Sequence, residues 1–407
     1  MFSFSLKGKL IVSFLLAGLV PLVSIGTYSY KKSSESLRRE AVDKLVAVRN
    51  IKGEAVKRYF DTIRSQILTF SQTVSVRDAM KGFSSAFKNY KSEQNISRAD
   101  ILFYKSSLKN FYLNEFGAKY KKENGSDIDS LAFLNQLSET EVALQHHYIS
   151  SNPNPLGSKE GLDAASDKST YTKLHRKHHP SIRSFLAEFG YYDIFLVDIE
   201  SGNIVYSVFK ELDFATSLLT GPYKKTNFAE AFKKAREIKD PEGFVLVDYK
   251  KYAPSYEAPA SFIASPIWDK GKKIGVAIFQ MPIDRLNAIM GQRSGMGETG
   301  ETYLYGPDKL MRSDSFLDQE NFNVVSSFKN PKNGTLQSLS IDETLAGKSG
   351  DGIRTNYLGQ EVIAAYAPIN ILGLKWGLIA ELSTSEAFSS AQETKNALLI
   401  SGWCHLS

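Results

Sequence analysis

Histidines are the residues in this chain whose type and spacing are best suited to metal chemistry. Five of the six lie in one stretch, at His146, His147, His175, His178 and His179. His175 and His179 stand at i and i+4, so a helix would place both imidazoles on one face, as a zinc site requires. No carboxylate or cysteine stands at ligand spacing beside them, and adjacent histidines cannot easily share one ion. The pattern therefore favours histidines that brace helix ends, and we expect no metal or other cofactor.

Signatures of catalytic nucleophiles and phosphate loops are missing from the sequence. It contains no GxSxG, HExxH or P-loop pattern. The segment 295–301, GMGETGE, has the glycines of a phosphate loop but lacks its lysine and its preceding strand, which favours a hinge. The single cysteine, Cys404, excludes an internal disulfide and a cysteine-rich metal site. The sequence therefore predicts a protein that is not an enzyme.

Composition and charge are those of an ordinary globular protein. Hydrophobic residues make up 42% of the 407 residues and charged residues 23%, which is enough chain for two modules with substantial cores. The net charge of +6 is spread along the chain without a long Lys/Arg block. This distribution argues against nucleic acid as a partner.

Five runs of β-branched and aromatic residues lie between residues 191 and 282. YYDIFLVD and NIVYSVF flank a turn that contains Gly202, and a helical interval follows at 227–238. GFVLVDY, ASFIASPIW and IGVAIFQM complete the set, with a turn at 269–272 between the last two. This order predicts a five-stranded antiparallel sheet with one face covered by a helix.

The same order recurs between residues 301 and 382. ETYLYGPDKLMRS gives a strand, a turn and a strand, GIRTNYLGQEVIAAYAPI gives a second hairpin, and LKWGLIAEL closes the set. Sequence identity between the two copies is slight, so the repeat is one of architecture. We expect an α+β fold with two tandem five-stranded modules, at 91–290 and 295–388.

An uncharged segment at residues 10–30, LIVSFLLAGLVPLVSIGTYSY, is long enough to cross a hydrocarbon core of roughly 30 Å. A cleaved signal peptide is the alternative, but its apolar core is usually shorter and no A-x-A site stands near the end. Lys7 and Lys9 favour a cytoplasmic location for residues 1–9, whereas Lys31 and Lys32 favour the opposite orientation of the helix. The sequence predicts an uncleaved membrane helix at 10–30 with the remainder exported.

A long helix is predicted at 33–90, because apolar residues recur at steps of three and four. They are Leu37, Ala41, Leu45, Val48, Ala55, Tyr59, Ile63, Ile67 and Phe70. Such a stripe suits a spine for both sheets, a dimer seam, or simple packing within its own domain. The chain ends in NALLISGWCHLS, and 395–407 is too short to span a membrane. It is typical of the truncated start of a second membrane helix.

The arrangement resembles the double Cache sensor domain of bacterial methyl-accepting chemotaxis proteins over residues 33 to about 388. The segments that carry the resemblance are YYDIFLVD, GNIVYSVFKELDFATSL, GPY, YAPSYEAPASFIASPI, GVAIFQMPID and GMGETGETYLYGPDKLMRSDS. The resemblance implies a periplasmic or extracellular ligand sensor in the bacterial inner membrane, acting as a homodimer, whose output domain is missing from this chain. Sensor regions of membrane-bound cyclases and histidine kinases, and a membrane-tethered binding protein, are the alternatives.

The amino-acid-binding branch of that family carries an Arg-x-Trp-Tyr patch and an Asp near the end of the fifth strand. Here the patch region reads GPYKKTNF, which keeps only Tyr223, and the acidic position falls on Gln280. A buried carboxylate to neutralise an ammonium is therefore expected to be missing. This departure predicts a small ligand other than an α-amino acid.

By resemblance, the ligand pocket belongs to the membrane-distal module. Tyrosines offer flat apolar contact and a hydroxyl, and Lys210 suits an anionic group. The predicted ligand-binding residues are Lys210, Tyr223, Asp248, Tyr252, Tyr256 and Gln280, with Asp213 nearby. In the membrane-proximal module we expect Arg312 and Asp314 to pair with each other.

Overall fold

The structure, a computed structural model, describes residues 5–389 and 392–393. Its longest element is helix α1 (Leu6–Gln72), which runs without a break through Pro21. The helix ends because Thr73 adopts an extended backbone, and the Thr73 hydroxyl accepts a hydrogen bond from the N–H of Val76. This cap begins helix α2 (Val74–Glu93). The long helix predicted at 33–90 is therefore two helices that meet at a capped joint, and the first extends back to Leu6.

The N-terminal part of α1 is apolar and exposed. Within the described part of the chain, α1 is the one helix long and apolar enough to cross a membrane. Leu10, Phe14 and Ile25 are more than half exposed, so none of the described residues covers them fully. Together with the length of the segment, this exposure agrees with the apolar segment predicted at 10–30.

The remainder of α1 packs against both sheets. Leu45 packs beside Ile363 and Leu382 of the second sheet. Ile63 and Ile67 are 2% and 0% exposed and belong to the main core, and α1 also contacts the first sheet. The apolar stripe of α1 therefore packs within its own chain and joins the two sheets.

The helices between α2 and the first sheet form a helical layer whose members contact one another and α2. Hydroxyl and carboxylate caps begin several of them, as at Ser97 and Ser138, where a reciprocal capping box is complete. The helices are α3 (Arg98–Asn110), α4 (Ala118–Asn124), α5 (Ser130–Leu134), α6 (Glu139–Gln145) and α7 (Thr170–Phe189), with π-helical turns at Phe111–Gly117 and His146–Ser150 and a short 3-10 turn at Lys159–Gly161. A second 3-10 turn, Ala253–Ser255, connects two strands of the first sheet.

The first sheet has five antiparallel strands in the order β2-β1-β5-β4-β3, as predicted. Its strands are β1 (Asp193–Asp198), β2 (Ile204–Ser207), β3 (Val245–Lys251), β4 (Pro259–Asp269) and β5 (Lys272–Gln280). Helix α8 (Asn227–Glu237) covers one face, where Phe228 stacks on Phe262 at a centroid distance of 4.6 Å. Phe279 packs against Phe70 of α1. Because neighbouring residues of a strand face opposite sides, Gln280 lies on the α8 face.

The second sheet has four antiparallel strands in the order β6-β9-β8-β7. Where a fifth strand is predicted, Met311 forms only an isolated bridge with Tyr305. The Ser313 hydroxyl accepts a hydrogen bond from the backbone N–H of Leu304. A side chain therefore stands where a strand would provide its next backbone acceptor. The strands are β6 (Glu301–Tyr305), β7 (Gly350–Thr355), β8 (Glu361–Ile371) and β9 (Leu374–Ser383).

Five short helices complete the second module and its connection to the first. Helix α9 (Ile283–Met290) follows β5 and leads to β6, and α13 (Thr384–Ala387) follows β9 directly. The other three are α10 (Val324–Lys329), α11 (Pro331–Gly334) and α12 (Leu339–Leu345). The predicted start of a second membrane helix at 395–407 lies outside the described residues.

Candidate functional site

A cavity of about 210 Å³ lies in the first module beside the loop that follows β2. Lys210 and Glu211 of that loop line it, together with Tyr192 and Tyr256. Phe116, from the helical layer, closes another side. The fold therefore brings two of the predicted ligand-binding residues, Lys210 and Tyr256, to one cavity.

Lys210 is buried and conformationally strained. The residue is only 1% exposed. Its backbone φ of 56° is a left-handed value that is uncommon for a residue other than glycine. The ammonium donates to the carbonyl of Val208 at 3.0 Å. Burial lowers the pKa of Lys210 to about 7, while the charge of Asp193 acts in the opposite direction.

Tyr256 forms an aromatic wall of the cavity. Its ring stacks on Phe116 at a centroid distance of 5.1 Å, and the ammonium of Lys119 lies 4.3 Å from the ring centroid. Tyr256 and the following Glu257 have φ values of 55° and 61°. The wall is thus carried on a strained turn, and turns of this kind cluster at ligand clamps.

Glu211 begins a chain of hydrogen bonds that leads behind the cavity. Its carboxylate accepts from the hydroxyls of Tyr192 at 2.8 Å and Ser255 at 3.3 Å. Ser255 accepts in turn from the amide of Gln280 at 3.3 Å. Burial raises the pKa of Glu211 well above its usual range, and the charge of Asp213 raises it further. Gln280, a predicted site residue, therefore lies behind the cavity wall rather than on it.

Two further predicted site residues, Tyr252 and Tyr223, are buried next to each other. The Tyr252 hydroxyl donates to Asp213 Oδ2 at 2.5 Å, and the Tyr223 and Tyr252 rings are 6.3 Å apart. Burial raises the pKa of Asp213 to about 6, against the lowering effect of the Tyr252 hydroxyl. Among the described residues, the Tyr223 hydroxyl, Asp213 Oδ1 and Gln280 Oε1 have no hydrogen-bond partner.

Asp193 organises the loop on which Lys210 and Glu211 lie. Its Oδ1 accepts from the backbone N–H groups of Val208 at 2.9 Å and Phe209 at 3.1 Å, and its Oδ2 from the Ser207 hydroxyl at 2.8 Å. Asp193 also stands directly opposite Gln280 in the β1–β5 ladder. These bonds fix the turn after β2 and aim the following residues at the cavity.

The structure places Asp248 outside this site. Its carboxylate accepts two hydrogen bonds from Arg312, each at 2.9 Å, and a third from the indole of Trp376 at 3.1 Å. Arg312 and Trp376 belong to the second module and are 2% and 1% exposed. Asp248 is therefore an inter-module ion-pair residue. The expected pairing of Arg312 with Asp314 is wrong, because Asp314 accepts from the amide of Asn287 instead.

The histidines lie in aromatic packing within the helical layer. His175 and His179 stack at a centroid distance of 4.3 Å. Nδ1 of His175 faces the carbonyl of Asp163 and Nε2 of His179 faces that of Glu160, both at 2.7 Å. A carbonyl only accepts, so each of these nitrogens carries a proton and donates. Burial lowers the pKa of His179 to about 2, which keeps the ring neutral.

The second module buries carboxylates of its own. Glu301 of β6 stands opposite Glu381 of β9 in the ladder, and they are 0% and 2% exposed. The Tyr357 hydroxyl donates to one oxygen of Glu301 at 2.6 Å, and two backbone N–H groups and a serine hydroxyl donate to the other. Asn356 and Tyr303 donate to the two oxygens of Glu381. Every oxygen of this pair has a donor.

Sequence reasoning found Lys210 and Tyr256 of the cavity wall and expected Asp213 nearby, but it missed Asp193 and Glu211. It expected a buried carboxylate to be missing because Gln280 stands at the end of the fifth strand. The structure supplies Asp193 and Asp213, which are buried, and Glu211, which is half-buried, from β1 and the loop after β2. The signal in the sequence is the run Lys210-Glu211-Leu212-Asp213, which places charges inside an otherwise apolar stretch.

A protein-family model covers most of the chain. The family model described as "Cache domain" matches residues 34–391. The periplasmic sensory domain of the Campylobacter jejuni chemoreceptor Tlp1 is 14% identical, with a TM-score of 0.38, over 69% of this chain and 98% of that one. The ligand binding domain of the Pseudomonas aeruginosa chemoreceptor PctB, in complex with L-Arg, is 16% identical, with a TM-score of 0.33, over 54% and 84%.

A third structure, an extracellular ligand binding receptor from Desulfohalobium retbaense, is 15% identical, with a TM-score of 0.35. The alignment spans 51% of this chain and only 33% of the receptor's chain. No curated protein sequence matches the chain.

Proposed function

Because the chain belongs to the Cache domain family, we propose that it is the extracytoplasmic ligand-sensing region of a methyl-accepting chemotaxis receptor in a bacterial inner membrane. The observation that carries the proposal is the cavity lined by Lys210, Glu211 and Tyr256. It combines aromatic walls with a few convergent polar groups, which is the usual character of a small-molecule site. In this proposal the chain binds a small polar molecule and performs no catalysis.

Helix α1 is the proposed route from the site to the membrane. It packs on both sheets and continues into the apolar segment at its N-terminus. A ligand that shifts the first sheet therefore acts on the same rigid element that contacts the second sheet. The proposed receptor is a homodimer whose copies are held side by side by their membrane segments.

A thermal-shift screen of the full chain in detergent, against a library of small metabolites, tests the proposal. A ligand present at 100 times its Kd stabilises the folded state by about 2.7 kcal/mol. For a module of this size that is a melting shift of about 5 to 10 °C. A compound that produces such a shift is the expected result.

Substitutions then locate the site. Lys210 and Tyr256 both have positive φ, so asparagine, which tolerates a left-handed backbone, is the suitable replacement. Lys210→Asn and Tyr256→Asn are expected to remove the ligand-induced shift. Lys270→Asn is the matched control, because Lys270 is a left-handed lysine (φ 48°) in an exposed hairpin turn of the same module. A shift that survives both cavity variants would move the site elsewhere.

A further inference from the structure

Two arginine side chains from different elements meet over Gly352, in the edge strand β7 of the second sheet. A Cβ atom at Gly352 would lie 3.8 Å from Nη1 of Arg354 and 3.9 Å from Nη2 of Arg38, which belongs to α1. The backbone of Gly352 has a φ of 124°, a value that residues with a side chain rarely adopt. The two guanidinium groups are therefore neighbours, and like charges held this close repel each other.

The acceptors that these arginines use are uncharged. Nη1 of Arg354 donates to the backbone carbonyl of Ile353 at 3.0 Å, and Nη2 donates to the Tyr366 hydroxyl at 3.2 Å. Nε of Arg354 is buried and has no acceptor among the described residues. Arg38 is exposed, and its side chain forms no hydrogen bond within the same ranges. Both guanidinium groups therefore have N–H donors left for another acceptor.

The carboxylates on the neighbouring elements do not neutralise the pair by contact. Glu343 of α12 accepts a hydrogen bond from the Tyr366 hydroxyl. Asp351 of β7 and Glu35 of α1 are exposed. In the part of the chain that the structure describes, none of the three forms an ion pair with either arginine. Within that part, the arginine pair has no counter-ion of its own.

The pair lies near the proposed membrane end of the second module. Arg38 follows the uncharged segment 10–30 by about eight residues, or about 12 Å along the helix axis. Lipid headgroups extend about 5 to 8 Å beyond the hydrocarbon. Side chains of a helix lean towards its N-terminus, which for α1 is the direction of the membrane, so a long arginine side chain covers the difference. Lys31 lies on the same face of α1 as Arg38, because seven residues make about two turns.

We propose that Arg38 and Arg354 together bind the phosphate of an anionic phospholipid headgroup at the membrane end of the second module. Guanidinium groups bind phosphate through paired, charge-assisted hydrogen bonds, and two of them from different elements can hold one phosphate between them. The bound phosphate removes the repulsion between the arginines and joins α1 to the edge strand β7. This inference goes beyond the proposed ligand sensor and rests only on the entry of α1 into the membrane.

The test measures lipid binding to the full chain in detergent by native mass spectrometry. The probes are phosphatidylglycerol, which is anionic, phosphatidylcholine, whose phosphate is neutralised by its own choline, and glycerol 3-phosphate, which has no acyl chains. We expect phosphatidylglycerol to bind most tightly and glycerol 3-phosphate not to bind at the same concentration. Equal binding of the two lipids would overturn the proposal, and so would binding of glycerol 3-phosphate alone.

Variants locate the site. Arg38→Gln and Arg354→Gln are each expected to weaken phosphatidylglycerol binding by about fivefold to tenfold. Arg39→Gln is the matched control, because Arg39 carries the same charge at the same height but lies about 100° around α1 from Arg38. Its loss is expected to be less than about twofold. Equal losses in Arg38→Gln and Arg39→Gln would indicate diffuse attraction and overturn the proposal. Because Arg38 is exposed, its variant remains informative even if Arg354→Gln destabilises β7.

The failure of this inference can be distinguished from the failure of the proposed ligand site. Release of the chain from vesicles by alkaline carbonate washing would show that α1 does not enter the membrane, and it would overturn the lipid site. The metabolite screen reports on the cavity of the first module, which neither Arg38 nor Arg354 lines. Its melting shift is therefore expected to be unchanged in Arg38→Gln.

Discussion

The carboxylates inside the two sheet modules differ in the hydrogen bonds that their oxygens accept. In the second module Glu301 and Glu381 face each other across two strands, and each of their oxygens accepts a hydrogen bond. In the first module Asp213 Oδ1 has no donor among the described residues, and Glu211 lines a cavity. Burial alone therefore does not mark a binding site. The distinguishing feature of the first module is that one of its carboxylates, Glu211, lines a cavity.

The largest expected effect comes from introducing a charged side chain where α1 packs on each module. Leu45 and Ile63 of α1 are 3% and 2% exposed and pack on the second module and in the main core, respectively. Leu45→Glu and Ile63→Glu each bury an unpaired carboxylate, at an expected cost of about 4 kcal/mol in the free energy of unfolding. Hydrogen exchange of the full chain should show Leu45→Glu loosening β8 and β9 first.

The control for that pair is Ile51→Glu, because Ile51 lies on the same helix and is 66% exposed. Its unfolding free energy should match that of the wild type. If Leu45→Glu and Ile63→Glu instead left stability unchanged and only reduced crosslinking between copies, the stripe of α1 would be a dimer seam rather than the internal packing seen here.

The next effect concerns the joint between the modules. Arg312 is 2% exposed and donates to both oxygens of Asp248. Arg312→Ala removes a buried cation and leaves the half-buried Asp248 carboxylate without its partner, and it is expected to cost about 3 kcal/mol of unfolding free energy. Denaturant titration of the full chain measures this loss. Arg312→Ala combined with Asp248→Ala should recover part of it, because the only carboxylate that then lacks its arginine partner is the more exposed Asp308.

A loss below about 1 kcal/mol in Arg312→Ala would mean that the ion pair behaves as an exposed one. In that case Asp248 would not couple the two modules, and α1 would be the main connection between them. The same variant also distinguishes coupling between the modules from ligand binding, because it changes no residue that lines the cavity.

The last comparison concerns the pH dependence of stability in the two modules, which changes by small steps from one pH value to the next. Burial, followed by the facing charge of Glu301, raises the pKa of Glu381 from 4.5 to about 8. The folded state therefore keeps a proton that the unfolded state loses, and the contribution of Glu381 to stability falls as the pH rises from about 4.5 to about 8. The other groups that face Glu381 are Asn356, Tyr303 and, through Glu301, Tyr357.

Glu381→Gln cannot ionise and should flatten the pH dependence of the unfolding free energy by up to about 1.4 kcal/mol per pH unit in that window. Asp213→Asn should act at lower pH, because the pKa of Asp213 rises only from 3.8 to about 6. Urea titrations of both variants and the wild type at pH 5, 6, 7 and 8 compare the two windows. Identical slopes in Glu381→Gln and wild type would show that the proton lies elsewhere in the second module.

The period of the apolar residues determined most of the fold. Alternating β-branched and aromatic runs with glycine turns specified five strands in the first module, and their recurrence specified a second antiparallel sheet. Local side-chain hydrogen bonds explain where the structure departs from these predictions. Thr73 caps α2 and divides the long predicted helix. The Ser313 hydroxyl accepts a hydrogen bond from the backbone N–H that a fifth strand in the second sheet would need as a donor.

The partners of the charged residues were decided only by the tertiary structure. Sequence alone grouped Asp248 with Lys210 and Tyr256, and paired Arg312 with Asp314. In the folded chain Arg312 reaches Asp248 across 64 positions of sequence, and Gln280 meets Asp193 across two strands. Alternation along a strand tells which face a residue is on, but not which distant element covers that face. Whether a buried carboxylate is paired or left for a ligand depends on that covering element, because its donors come from far along the chain.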